Sequence, residues 1–307
     1  MEPEYYPCNI CNLRFKKQMY FRKHMSQHRQ NKIELKKFQL RTLDGIEKTG
    51  SIPKIVFVCW FNGYGKLPQH MPTRKYNDFL HLVSAIDIPV CLITNENYFH
   101  FVKKEHPLHP SFEYLSGTHK SDYFKSYLMH HYGGGYHEIK YRCDGWEECW
   151  NEDDWINNGS LWMFGRQEKN KACIGDLPIR IHYNQMVTMK LIICKSYSIF
   201  THQLMEETHN KLDSVSEKIK MFPGKETDGY YFNTPFDPVP EDSYPLQWSE
   251  ISSNIYHPLM YKYTKHIKFG LPDATRQIEN TEITENTEIT ENTENTEITE
   301  ITEKNKI

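Results

Sequence analysis

The chain has 307 residues, of which 38% are hydrophobic, 14% aromatic and 25% charged. So many aromatic side chains can bury a sizeable core and exclude wholesale disorder, the length suits about two domains, and no run of roughly 18 apolar residues exists to cross a membrane as a helix. The net charge of −3 hides a gradient: residues 1–50 carry 11 Lys/Arg against 5 Asp/Glu, the last 31 residues carry 2 Lys against 9 Glu, and the body between them is close to neutral.

The opening, MEPEYYPCNICNLRF, has no basic segment followed by an apolar one, so a cytoplasmic protein is expected, with the nucleus as the alternative address. From Cys8 the chain reads CNICNLRFKKQMYFRKHMSQH, which sets out Cys8, Cys11, His24 and His28 as C-x2-C, twelve residues, then H-x3-H. Thiolates and imidazoles in this spacing suit tetrahedral Zn²⁺, and His24 and His28 share one face of a helix. A unit this small cannot fold by burial alone, so the structural metal must supply the free energy, with Phe15 and Phe21 as its small core. The segment resembles the Cys–Cys–His–His zinc finger, which implies a ββα unit over residues 1–30. In a DNA-reading finger Lys17, Tyr20 and Lys23 would face bases, while Arg14, Lys16, Arg22 and Arg29 would meet phosphates. One finger reads only about 3 base pairs, so nucleic acid and protein both stay open as its partner. Residues 31–52 are polar with scattered Leu, Ile and Phe; part of them reads as a short helix, Asp44-Gly45 and Gly50-Ser51 are turn signals, and the whole reads as a linker ending at Pro53.

The body, residues 53–272, reads as α/β. The run Pro53–Phe61 is apolar and β-branched and predicts a buried parallel strand, as does Ile88–Thr94. Helices are expected around Lys75–Ala85 and from about His119 to Tyr132, giving a strand–helix alternation typical of a βαβ sheet. Ligands of such sheets bind beyond the carboxyl ends of the strands, beside Trp60 and Thr94-Asn95. The most informative stretch is HKSDYFKSYLMHHYGGGYHEIKY, residues 119–141. Ser121 is placed to cap the helix, the glycines at 133–135 end it, and Tyr136, Glu138 and Lys140 share a face of the extended segment that follows. Asp122 and Glu138 both reach toward the cleft.

The combination IPKIVFVCWFNG and SDYFKSYLMHHYGGGYHEIK resembles glycosyltransferases of the capsular-polysaccharide-synthesis type. It is more distantly similar to the yeast mannosyltransferases and toxin glucosyltransferases that carry SDxxR…GGxYxDxD. The resemblance covers residues 53–145 and implies a Rossmann-like, A-type glycosyltransferase fold that transfers a sugar from a nucleotide-sugar donor to a glycan or protein acceptor. Trp60 would then stack on the nucleobase, Asp122 would bond the sugar or ribose, and Lys125, standing where the pattern has Arg, would touch the donor sugar or phosphate. Asp122, Glu138 and Lys140 are the catalytic candidates, with Trp60, Lys125, Tyr136 and His257 as further substrate contacts.

One departure stands out. The family's acidic DxD, which holds Mn²⁺ or Mg²⁺ against the diphosphate, is Glu138-Ile139-Lys140 here. Lys140 cannot ligate a hard cation. Either its ammonium replaces the metal, or a metal binds through Glu138 and other ligands, or the domain is inactive and the chain is a zinc-finger binding protein for nucleic acid or protein.

Distal to residue 145 a strand is expected over Met189–Cys194 and an amphipathic helix over Ile199–Leu212. Trp146, Trp150, Trp155 and Trp162, near several acids, read as core packing ahead of carbohydrate platforms. From Gln277 Glu recurs every third residue up to Glu303, a period that fits neither helix nor strand, so residues 273–307 are expected to be a disordered acidic tail.

Overall fold

The computed structural model describes residues 5–8, 14–15, 17–65, 71–139, 142–143, 145–150, 153–175, 178–225, 241–272 and 274–275. Cys11, Lys140 and the tail beyond Thr275 lie outside the described residues. The chain divides into two units, 1–274 and 275–307, and the first carries all that follows.

At the amino end β1 (Tyr6–Pro7) and β2 (Arg14–Phe15) pair antiparallel, and α1 (Gln18–Leu35) follows. The helix does not stop near residue 30. The stretch from Arg29 to Leu35 is rich in good helix formers and continues it, and Leu35 is buried in the same apolar cluster as Val56, Val58 and Leu92. The segment expected to be a linker therefore begins as helix, and its first anchor in the body is apolar.

The body is α/β, compatible with a Rossmann-like fold. Its strands are β3 (Val56–Trp60), β4 (Val90–Thr94), β5 (Gly134–His137), β6 (Met163–Gln167), β7 (Val187–Cys194) and β8 (Ile267–Phe269). Among the described residues they form one sheet in the order β8-β6-β7-β5-β3-β4. β3 pairs parallel with both β4 and β5, and β8 with β6, while β7 alone runs against its two neighbours. β3, and β4 up to Thr94 at its end, are apolar because both faces of the sheet are covered. On one face lie α1 and α2 (Thr73–Ala85); on the other lie α3 (Gly117–His131), α4 (Ile199–Met221) and α5 (Ser253–Lys262). Trp146, Trp150 and Trp155 are fully buried, so they pack the core. Among the described residues no helix is long and apolar enough to cross a membrane.

The chain leaves β3 toward β4 and returns past β3 to β5, so the strand order reverses direction beside β3. In open α/β sheets ligands bind at such a switch point, outside the carboxyl ends. Two glycines make the crossing compact. Gly133 has φ +69° and a Cβ there would lie 2.7 Å from the Cys194 carbonyl oxygen, which is why α3 can turn into β5 in so few residues. Gly117 opens α3, and a Cβ there would stand 2.5 Å from the Phe61 carbonyl oxygen. The loop after β3 thus lies directly against the first turn of α3.

Candidate functional site

The site is built on the alternation of β3 and β5, which sends its residues to opposite faces of the sheet. Trp60, the last residue of β3, packs on the α1/α2 side, whereas Cys59 and Tyr136 belong to the core beneath α3. The candidates therefore fall into two groups that meet at the strand ends.

The first group surrounds a cleft of about 440 Å³, counting its open mouth, lined by Trp60, Asn62, Thr94 and Asn95 from the sheet and by Lys32 and Gln39 from α1 and the turn after it. Its polar rim is fixed by short bonds. The Asn62 N–H donates to Asn95 Oδ1 (2.8 Å) and the Thr94 N–H to Asn97 Oδ1 (2.8 Å). The Asn97 amide in turn donates to the Leu40 and Leu92 carbonyls at 3.0 Å each. Gln39 Nε2 reaches Thr94 Oγ1 at 3.2 Å, and Lys32 pairs with Glu96 at 2.7 Å. The indole N–H of Trp60 is buried and finds no hydrogen-bond partner among the described residues. Lys32, Gln39 and Glu96 were not legible as cleft residues, because nothing in their local pattern tells that α1 folds back over the cleft.

The second group sits at the start of α3. Ser116, not Ser121, caps the helix: its hydroxyl accepts from the His119 N–H at 3.2 Å, while Ser121 Oγ donates back to the Gly117 carbonyl. The helix starts two residues earlier than expected, and places Asp122 in its second turn and Lys125 one turn further on. Lys125 Nζ lies 3.0 Å from Asp122 Oδ1, with side chains only 4% and 14% exposed. The same ammonium stands 5.2 Å from the centre of the Tyr136 ring. Burial pushes the Tyr136 hydroxyl well above its usual range, and the charges of Cys59, Glu138 and Asp122 push the same way. Burial likewise raises the Cys59 thiol, and the neighbouring Lys125 opposes this. His257, on α5, is buried and its pKa is pushed down to about 4, chiefly by desolvation, with Lys125 and Lys190 adding to the effect. Glu138 follows β5, where its N–H donates to the Lys190 carbonyl of β7 at 3.1 Å.

Asp122, Lys125, Tyr136, Glu138 and His257 are thus within electrostatic reach of one another through shared partners, while Trp60 stands across the sheet edge from them. The Gly117 contact joins the halves. Apart from the amino-terminal cluster described next, no three metal-type ligands stand together among the described residues, and the Asp122 carboxylate is held by Lys125.

At the amino end the metal-type donors do converge. The donor atoms of Cys8, His24 and His28 lie within 4.8 Å of one another. Cys8 Sγ is 3.6 Å from His28 Nε2, which is 3.0 Å from His24 Nε2. A tetrahedral zinc site with bonds of ~2.05 Å to nitrogen and ~2.3 Å to sulfur would separate its ligands by roughly 3.3–3.6 Å, so one thiolate and two imidazoles are poised for such a metal. Phe15 packs on His24 with ring centres 4.8 Å apart and on Phe21 at 6.1 Å, the small core expected there.

No curated protein and no solved structure matches this chain significantly. Residues 9–138, a stretch that begins inside the cysteine–histidine segment and ends at Glu138, match the family model described as capsular polysaccharide synthesis protein, which supports a glycosyltransferase role at the coarse level.

Proposed function

We propose that the chain is a glycosyltransferase whose nucleotide-sugar donor lies across the carboxyl ends of β3 and β5. The observation that carries the reading is the pairing of an aromatic-walled cleft at Trp60 with a buried carboxylate–ammonium pair, Asp122 and Lys125, on the two sides of one sheet switch point. The nucleobase would lie against Trp60, with its edge meeting the polar rim of Asn62, Thr94 and Asn95. The sugar would extend toward α3, where Asp122 accepts a hydrogen bond from a donor hydroxyl. Lys125 holds that carboxylate in place and keeps a positive charge where the departing diphosphate gains negative charge. Tyr136, beneath the ammonium, fixes its position. Glu138 and His257 would line the same end of the cleft.

Glu138, with water and the donor diphosphate, would hold the Mn²⁺ or Mg²⁺ of the wider family, and no step here is routed through it. Zn²⁺ at Cys8, His24 and His28, with Cys11 as fourth ligand, would be structural.

The experiment is titration of the full chain with uridine and guanosine diphosphates, followed by hydrolysis assays with the matching nucleotide sugars. Binding is expected for one of the two, weakened by Trp60→Ala, with turnover abolished by Asp122→Asn while the fold, followed by circular dichroism, is kept. Failure of both diphosphates to bind would end the donor-site reading. The departure at Glu138-Ile139-Lys140 favours a second reading, in which the body binds but does not react. Binding of a diphosphate with no turnover of any nucleotide sugar would select it.

A further inference from the structure

The helix that carries the two histidines also forms a wall of the Trp60 cleft. His24, His28, Asn31, Lys32 and Leu35 fall at i, i+4, i+7, i+8 and i+11 of α1, a single stripe. His28, Asn31 and Leu35 are buried along it. Lys32 lies one turn beyond His28, about 6 Å along the axis at 1.5 Å per residue. No flexible stretch separates metal ligands from cleft.

The carboxyl half of α1 is tied down at several points. Leu35 is in the core; the Tyr76 hydroxyl donates to the Glu34 carboxylate; Lys32 pairs with Glu96 on the cleft rim; and Gln39, in the following turn, bonds Thr94 at the end of β4. The amino half has a different set of contacts: β1, β2, the ring of Phe15 and the Cys8–His24–His28 cluster. A helical stretch as short as the amino half is marginal in water without tertiary contacts, and α1 has no side-chain N-cap and no acidic residue in its first turn. The metal ligands therefore bear much of the burden of keeping the amino half helical and the stripe in register.

We infer that the Cys8–His24–His28 metal site and the Trp60 cleft are one linked binding unit, in which zinc orders the α1 wall so that Lys32 and Gln39 are positioned for a nucleoside diphosphate. The inference rests on the nucleotide reading of the cleft given above. Its physical content is that a wall already ordered by zinc costs less to order when the nucleotide arrives. Linkage then requires the converse: the nucleotide must tighten zinc by the same factor. Lys32 is a positioning residue in this scheme. Its ammonium, on the cleft rim beside Glu96, transmits the order of α1 to the end of β4.

The test uses the full chain in buffer of constant Mg²⁺, loaded with zinc or stripped by a zinc-selective chelator and dialysed. Uridine and guanosine diphosphates are titrated into both forms by calorimetry, and zinc affinity is measured by competition with a chromophoric chelator, with and without saturating diphosphate. Coupling free energies of this type correspond to about 5–150-fold changes, and roughly tenfold is expected, equal in the two directions. Lys32→Ala should leave zinc affinity without nucleotide unchanged but shrink the coupling factor toward one. Equal diphosphate affinity in the two forms, or a coupling factor untouched by Lys32→Ala, would overturn the inference and leave the donor-site reading standing. If neither diphosphate binds either form, the donor-site reading fails. Amide hydrogen exchange then decides the remaining link: zinc removal must deprotect residues 60–62 and 94–97 along with α1, and unchanged exchange at the cleft rules the link out.

Discussion

Asp122 and Lys125 sit one turn apart on α3 with their charged atoms 3.0 Å from each other, and neither side chain is more than 14% exposed. A buried pair of this kind adds little net stability, but removing one partner strands the other's charge in a low dielectric. Asp122→Asn is therefore expected to destabilise the protein by about 3 kcal/mol, and the double change Asp122→Asn with Lys125→Met to recover much of that loss. Chemical denaturation of the single and double variants measures both. Additive losses would mean the two charges do not depend on each other.

Gly117 concerns the joint between the halves of the site. A Cβ there would stand 2.5 Å from the Phe61 carbonyl oxygen and 3.2 Å from the carbonyl carbon of Asn62, both backbone atoms that cannot swing aside. Gly117→Ala would normally favour a helix, by up to about 1 kcal/mol. Here it must push the loop after β3 away from α3. The expected outcome is a net loss of about 1–3 kcal/mol, the usual cost of overpacking, together with weaker diphosphate binding because Asn62 leaves the cleft rim. A stabilised variant with unchanged binding would contradict the close approach.

How much of this was readable beforehand follows from where the physical signal is local. β3 and β4 were legible because strands buried on both faces are continuous apolar runs, and the α3–Gly133–β5 unit because helix, glycine and extended segment occur in order. β6 was not legible: Met163-Phe164-Gly165-Arg166-Gln167 mixes a glycine and a cation, and its β character comes from the ladder with β7 and not from composition. The second half of α1 was legible only as a short helix within a linker, because its single buried apolar anchor, Leu35, gives no periodic pattern that joins it to the helix of the two histidines. α5 carries Pro258 within it, which argues against a helix from sequence alone. At the candidate site, Trp60 and Asp122 were singled out by their places at a strand end and near a helix start, but their separation onto two faces follows from register, which no motif states.

Acid should unfold the protein through histidines that are buried neutral. His137 and His257 are both driven down to about 4, in each case mainly by burial; Arg166 adds to the effect at His137, and Lys125 and Lys190 at His257, while Glu138 opposes it at His137. In the unfolded chain both return to about 6.5, so between these values the unfolded state binds more protons and stability rises with pH. The contribution is complete above about 6.5, shrinks as pH falls, and is gone below the folded value. It amounts to at most about 3 kcal/mol per histidine. Denaturation midpoints measured from pH 7.5 to 4 should fall, and the fall should lessen in His257→Gln. A pH-independent midpoint across that window would show that these imidazoles are not buried as neutral groups.

The amino-terminal clip makes the last prediction. One thiolate and two imidazoles already converge, so a soft-ligand divalent metal should bind to the intact chain with one equivalent, and the fourth ligand is expected to be Cys11. Cobalt is the useful probe, because a tetrahedral Co²⁺ site bearing thiolate absorbs visible light where an octahedral aquo ion scarcely does. Cys11→Ala should weaken the metal by more than the roughly 10–100-fold that even an outer-shell change costs, and should alter the cobalt spectrum as one thiolate is lost. Cys8→Ala should do the same. If Cys11→Ala leaves both affinity and spectrum as they were, the metal is held by Cys8, His24 and His28 with a non-protein fourth ligand, and the finger-like closure of the amino end has to be given up.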